Sequence, residues 1–325
     1  MFQDLTEMAE EEERRWLLAE DSVNLFDGCL HDMTSDEYRV ILVGKTGSGK
    51  SSVGNRLLNR PDIVAPFPGS AAATPRTQEW ADYSVDPYDQ GGFVVSPWPY
   101  TCTIDCRYNE GRAWGKELKV IDTPGIFATS EDVKHTLIEL TRCMALSAPG
   151  PQAIIFVVRL DSTFTPEEQD VFDKILKIFG EKVTEYMIIA FTHGEILDNH
   201  RSDADVQRLV SMIPNLQTVL QSVHYRYVIF CNTPTRQEEA VRELLQKIDQ
   251  LKKQSSCPHF VNDTLSKQAE VIEERVRKLT QKRPDLTDAE VLSEVRRQIA
   301  RSDDTKKFAL KLLGGAPQDF SRLWI

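Results

Sequence analysis

The stretch "RVILVGKTGSGKSSVGNRLLN", Arg39 to Asn59, leaves this chain the fewest options. Arg39–Val43 is a short apolar, β-branched run that reads as a buried strand. Gly44, Lys45, Thr46, Gly47, Ser48, Gly49, Lys50 and Ser51 then fit the pattern GxxxxGK[ST], and a helical pattern begins at Ser52. Glycines let successive backbone N–H groups turn inward around a phosphate, and the helix N-terminus adds positive potential. In this pattern Lys50 reaches the terminal phosphates and the Ser51 hydroxyl ligates magnesium. Lys50 then has little reason to be buried when the loop is empty. Gly44 through Ser52 are the expected phosphate-binding residues.

Downstream, short apolar runs alternate with helical patterns. Strand candidates are Leu118–Ile121, Ala153–Val158, Tyr186–Phe191 and Tyr227–Phe230, besides Arg39–Val43. That rhythm argues for an α/β fold, a mainly parallel sheet flanked by helices. Thr165-Pro-Glu-Glu168 is a capping box with proline at the first helical position, and Gly180 ends that helix. An additional strand, Thr101–Tyr108, is expected to return through Gly111–Gly115 to Leu118 as a hairpin.

Asp122-Thr-Pro-Gly125 follows the strand candidate at Leu118–Ile121, about 70 residues after the phosphate loop. A carboxylate at a strand end can hold magnesium through water, and a glycine N–H can sense a γ-phosphate. Asp122 and Gly125 are assigned those roles. A switch threonine should complete the metal site. Thr103 is preferred; Thr101, Thr74 and Thr77 also qualify by distance along the chain. This layout fits a GTPase better than a metabolic kinase. Thr192-His-Gly-Glu195 lies at the end of another strand, where a guanine site presents a carboxylate. Glu195 is the carboxylate candidate, His193 flanks the base, and Asn232, just past Tyr227–Phe230, packs against it or bonds to it. The usual Asn-Lys-x-Asp is absent.

Three regions lie outside this pattern. Residues 1–37 hold twelve acids and two arginines, with Trp16, Ala19, Val23, Phe26 and Leu30 on one helical stripe. The remaining 288 residues carry 38 acids and 37 bases, so nothing in the overall charge favours nucleic acid. Residues 61–100, rich in proline and without a period, read as an irregular insertion that stays mobile without nucleotide. Residues 257–325 look helical. Val261, Leu265, Ile272, Val276 and Leu279 make one stripe, Pro284 breaks it, and Thr287-Asp-Ala-Glu290 caps a second helix. The expected domains are therefore 1–37, 38–255 and 256–325. The helical ends could carry a protein partner or lie against a membrane surface. No signal peptide and no run of about 18 apolar residues is evident. Six scattered cysteines read as reduced thiols of a cytoplasmic protein.

These motifs together resemble the immune-associated nucleotide-binding (GIMAP, AIG-type) GTPases. The resemblance covers roughly 38–280. It rests on "GKTGSGKSSVGNRLL", "VIDTPGIF", "TCTIDC", "FTHGE" and "RYVIFCNT", and most of all on "LSAPGPQAIIFVVRLDSTFTPEEQ" at Leu146–Gln169, similar to the box that sets that family apart. It implies GTP and GDP as ligands with Mg2+, slow hydrolysis, a homodimer formed across the nucleotide face, and assembly at membrane surfaces. "TCTIDC" supports Thr103 as the switch residue. The chain departs from the family in its long insertion, in Thr163 where many members have arginine, and in lacking the membrane tail that some members carry. Ile126 stands where a Ras-type enzyme has a water-orienting glutamine. A nucleotide-dependent scaffold with negligible hydrolysis and a P-loop kinase of a small substrate are the alternatives.

Overall fold

A computed structural model describes residues 36–64, 92–95, 103, 105–125, 139, 142–197 and 203–301. The acidic helix expected before residue 36, Thr74, Thr77, Thr101, Ile126 and most of the insertion lie outside the described residues.

The strands are β1 (Glu37–Val43), β2 (Ile63–Val64), β3 (Val94–Val95), β4 (Arg107–Ala113), β5 (Lys116–Asp122), β6 (Ala153–Arg159), β7 (Met187–Thr192) and β8 (Tyr227–Ile229). The helices are α1 (Lys50–Leu57), α2 (Pro166–Phe179), α3 (Asp203–Ser211), α4 (Pro214–Ser222), α5 (Pro234–Gln254), α6 (Asp263–Lys282) and α7 (Asp288–Arg301). Six strands form one sheet in the order β4-β5-β1-β6-β7-β8. All pair in parallel except β4, which runs antiparallel to β5 at the edge. This is the α/β architecture of a P-loop GTPase domain.

Strand alternation divides the core. Val40 and Leu42 of β1 face one layer with Val53 and Leu57 of α1 and Val241, Leu244 and Ile248 of α5. Ile41 and Val43 face the opposite layer, with Phe172 and Ile175 of α2 and residues of α3 and α4. Central strands covered on both faces must be apolar throughout, and β7 is buried at all six positions. Each buried Val, Ile, Leu or Phe contributes about 1.5–3 kcal/mol. Ile272 of α6 and Val295 and Ile299 of α7 join this second layer. The capping boxes form as expected: the backbone N–H groups of Thr165 and Thr287 donate to Glu168 and Glu290. The Gly180 N–H closes α2 on the Leu176 carbonyl.

Three expectations need correction. The hairpin exists, but residues 103, 105 and 106 precede its first strand, and Gly111–Ala113 belong to that strand. Its turn is Trp114-Gly115, with φ of 58° and 75°, the sign a two-residue type I′ turn requires at both positions. The Trp114 indole donates to the Leu57 carbonyl and Arg242 lies over its ring, which holds this non-glycine residue in place. Second, the insertion is closed at its neck. Ile63–Val64 pair with Val94–Val95, and the Asn55 side chain bonds both N–H and C=O of Phe93. Irregular composition concealed this latch, because its far half comes from α1. Third, Cys106 and Cys143 form a disulfide. The fold brings together two residues whose spacing gave no pairing signal. Cys231 and Cys257 are not in a disulfide.

Phe93 is fully buried and its ring packs against Gly54, where an added Cβ would lie 2.7 Å from it. Phe93→Ala should therefore lower unfolding free energy by about 3–5 kcal/mol. Urea denaturation checks this; a loss below 1 kcal/mol would mean that the neck does not depend on this ring.

Candidate functional site

The site lies at the C-terminal ends of the parallel strands, where their loops gather. Gly44 and Gly49 have φ of +147° and +95°. A Cβ at Gly44 would stand 2.5 Å from the Val157 carbonyl oxygen, so only glycine fits the turn between β1 and the loop. The Thr46 and Ser48 hydroxyls are buried without a hydrogen-bond partner.

Lys50 is buried, contrary to expectation. Its ammonium folds back over the loop and donates to the Gly44 and Lys45 carbonyls at 3.0 and 2.9 Å. Burial pushes its pKa down to about 8, while the Asp122 charge opposes the shift. The side chain follows α1's first turn into the cradle, and the loop carbonyls replace water. Those two bonds hold a cation at the mouth of the glycine turn.

Ser51, Thr103 and Asp122 come together from α1, the segment before β4 and the end of β5. Ser51 Oγ donates to Asp122 Oδ2 at 2.6 Å. Thr103 Oγ1 lies 3.4 Å from both Ser51 Oγ and Asp122 Oδ2. Asp122 Oδ1 is buried and accepts no hydrogen bond. Burial pushes the Asp122 carboxyl up, against the Lys50 charge and the Ser51 bond. Two hydroxyls and an under-satisfied carboxylate form an all-oxygen set suited to a hard divalent cation that keeps other positions for phosphate and water. Among the described residues no group of three or more His, Cys, Asp or Glu could hold a metal without such help. Gly125 packs on Thr46, where an added Cβ would meet Oγ1 at 1.7 Å.

At the other end, Asn232 Nδ2 donates to Glu195 Oε1. His193, with φ of 57°, places Nδ1 3.6 Å from both Glu195 and Asp161. Gly194 fits because an added Cβ would lie 2.2 Å from Ile229. Its N–H donates to the Phe230 carbonyl, drawing Glu195 and Asn232 together from separate strands.

Several residues at the site escaped the sequence reading. Thr192 Oγ1 donates to the Ser48 carbonyl at 2.8 Å and so ties the end of β7 to the glycine-rich loop after β1. Arg159 makes a bidentate pair with Asp161 at 2.8 and 2.6 Å and reaches the Gly47 carbonyl at 3.4 Å. Lys45 pairs with Glu167 in the first turn of α2. The strand-end position of Thr192 was a usable signal; Arg159 and Asp161 lie within the box at Leu146–Gln169, which gave them no individual role.

The glycine-rich loop between β1 and α1, set on this parallel sheet with an aspartate at the end of β5, defines the class as a P-loop GTPase domain. The model of the AIG1 family matches residues 38–280. The chain belongs to the AIG1 family. Two of its relatives are Arabidopsis thaliana proteins. Immune-associated nucleotide-binding protein 13 is 26% identical over 238 residues, which is 70% of this chain and 59% of that protein. Immune-associated nucleotide-binding protein 5 is 25% identical over 268 residues, 80% of this chain and 76% of that protein. The chain is also similar to the solved structure of Arabidopsis thaliana Toc33 in complex with Mg2+ and GMPPNP, at 16% identity and a TM-score of 0.46, over 72% of this chain and 92% of that one.

The buried ammonium yields a stability prediction. The Lys50 pKa falls from 10.5 unfolded to about 8 folded, so below pH 8 the charged form costs stability and that cost disappears as pH rises toward 10.5. Nucleotide-free Lys50→Met should therefore be the more stable protein at pH 7, by about 3 kcal/mol, with the gap closing near pH 10. Thermal melts across this range check it; a constant gap would assign the effect to packing.

Proposed function

We propose that the chain binds GTP and GDP with Mg2+ and hydrolyses GTP slowly, and that turnover rises when two copies dock across the nucleotide face. The observation that carries this reading is the convergence of Ser51, Thr103 and Asp122 beside Lys50, with Glu195 and Asn232 closing the opposite end of the same strand-end crevice. Gly44–Ser52 would cradle the phosphates and Lys50 would exchange its loop carbonyls for phosphate oxygens. Gly125 N–H would meet the γ-phosphate. Glu195 would accept from the guanine N1–H and exocyclic amine, with His193 and Asn232 flanking the ring. Bound Mg2+ would neutralise charge developing on the β- and γ-phosphates; Ser51 and Thr103 would hold it directly and Asp122 through water.

Slow turnover follows from side chains that are missing. Ile126 cannot orient water and Thr163 carries no charge. Absence of a transition-state cation costs a factor of roughly a thousand or more, which a second copy could recover by excluding water and supplying donors. The family likeness supports the dimer and a GTPase cycle.

Affinities for GTP, GDP and ATP, with and without Mg2+, test the reading. GTP and GDP should bind and ATP should not; comparable ATP binding would overturn the guanine assignment. Glu195→Ala should weaken GTP and GDP together by about 2 kcal/mol. Unchanged affinities would remove Glu195 from the site.

With GTP saturating, specific activity should rise with protein concentration. Fast, concentration-independent turnover would mean that a complete catalytic set resides in one copy.

A further inference from the structure

The disulfide between Cys106 and Cys143 spans 37 residues, with Cα atoms 6.2 Å apart. Both residues are fully buried. Cys106 stands three residues after Thr103 and immediately before β4; Cys143 lies on the helical turn at 142–146. The covalent loop thus encloses the β4–β5 hairpin, Asp122 and Gly125. Glu139, one turn before Cys143, accepts the Cys106 backbone N–H through Oε2 at 2.6 Å and is 3.6 Å from Arg142. Its carbonyl oxygen lies 3.1 Å from Cys106 Sγ, so a reduced Cys106 thiol has an acceptor already in place. Sulfur chemistry and the candidate metal site therefore stand only three residues apart, at Cys106 and Thr103.

The geometry points to Cys106–Cys143 as a redox-modifiable site that sets how firmly Thr103 is presented to the metal, and thereby how strongly the protein prefers a magnesium-bound nucleoside triphosphate to a diphosphate. This rests on the reading of Thr103 as a metal ligand. Oxidised, the bond holds Cys106 against the turn at 142–146, while Thr103, three residues earlier, lies 3.4 Å from Asp122 and Ser51. Reduced, Cys106 keeps its hydrogen bonds to Glu139 and its place in the apolar core with Met144, Ala145 and Leu146, but no covalent tie to that turn. The reductant is a dithiol. One of its thiolates attacks a sulfur of the pair, giving a mixed disulfide and releasing the other cysteine as a thiolate. The second reductant thiol displaces the remaining cysteine, so two electrons pass to the protein, two protein thiols form, and the reductant leaves as a cyclic disulfide. A glutathione disulfide reverses the exchange, leaving as two glutathione thiols.

Neither sulfur is accessible, so exchange requires Cys106 to lift from the turn. A ligand that grips Thr103 through magnesium opposes that lift. Coupling of this kind is reciprocal: the factor by which oxidation tightens the triphosphate is the factor by which the triphosphate stabilises the disulfide. A diphosphate, whose binding does not order the switch segment, should feel little of it.

The test uses the full chain, incubated with oxidised glutathione or with dithiothreitol, with the Cys106–Cys143 state read by peptide mass spectrometry. Binding of a non-hydrolysable GTP analogue with Mg2+, and of GDP, is measured in each state. The oxidised form should bind the analogue about tenfold tighter, within the range usual for coupled sites, and GDP nearly equally. The analogue should shift the disulfide's midpoint potential by about 30 mV, the equivalent of tenfold for two electrons. Cys106→Ala/Cys143→Ala should bind like the reduced protein and show no redox response. Equal analogue affinity in the two states, or a redox response that survives in the double variant, would overturn the inference. Should the double variant fail to fold, the two states of the unmodified chain decide alone. Thr103→Val, examined in the oxidised protein, separates the two levels. If it leaves the analogue's affinity unchanged, the reading of Thr103 fails. If it weakens the analogue while redox state has no effect, only the role of the disulfide fails.

Discussion

β1 is bonded in parallel to β5 on one side and β6 on the other. The register sets Leu42 beside Asp122, so the strand that feeds the phosphate loop ends level with the strand that delivers the carboxylate. Parallel strands end at one edge, and their loops must gather there. Ser51 can bond Asp122 only because this register is fixed by burial on both faces. Shifting one strand by a residue would turn its core side chains over and separate the two. Thr123 reinforces the register by donating its hydroxyl to the Leu42 carbonyl at 2.7 Å.

From that centre the site is stitched outward by polar contacts between loops. Thr192 joins the end of β7 to the glycine-rich loop after β1, and Gly194 joins the β7 and β8 ends. Both contacts are short and buried, which gives a preorganised crevice instead of two independent loops. Lys50 and Asp122 are the strained members of this arrangement. Burial disfavours the charged form of each, and each one's charge eases the burial of the other. A ligand bringing phosphate and a divalent cation would supply both with what the protein alone withholds.

The sheet's antiparallel edge is fastened by a second polar group. Glu110 on β4 accepts from Lys119 and Arg297 and from the Ser293 hydroxyl. Burial pushes its carboxyl up, but bonds from Lys119 and Tyr108 outweigh burial and hold it at about 2. Arg296 of α7 is fully buried, donating to the Ala148 carbonyl at 2.7 Å and facing Glu37 at 3.3 Å. Desolvating such charges without partners costs far more than pairing them returns. α7 therefore has one seat, with Ser293, Arg296 and Arg297 each opposite a specific acceptor.

Local signals carried much of the site. The glycines of the loop, the strand-end aspartate and both capping boxes depend on neighbours within a few residues, and such short-range chemistry is written in order along the chain. The alternation of apolar runs was enough for the α/β class, because a parallel sheet demands buried strands and covering helices. Contacts between distant residues were another matter. The Asn55–Phe93 latch, the reach of Arg159 to the Gly47 carbonyl, the α7 seat and the Cys106–Cys143 bond each join residues whose separation has no period and no motif. Trp114-Gly115 lacked the Asn-Gly signature of its turn because α1 and α5, not local propensity, hold Trp114 at positive φ. Sequence by itself determined which chemical groups the chain presents and the order in which strand ends deliver them. Tertiary structure decided which groups meet, because register and burial, not spacing, bring their atoms within bonding distance.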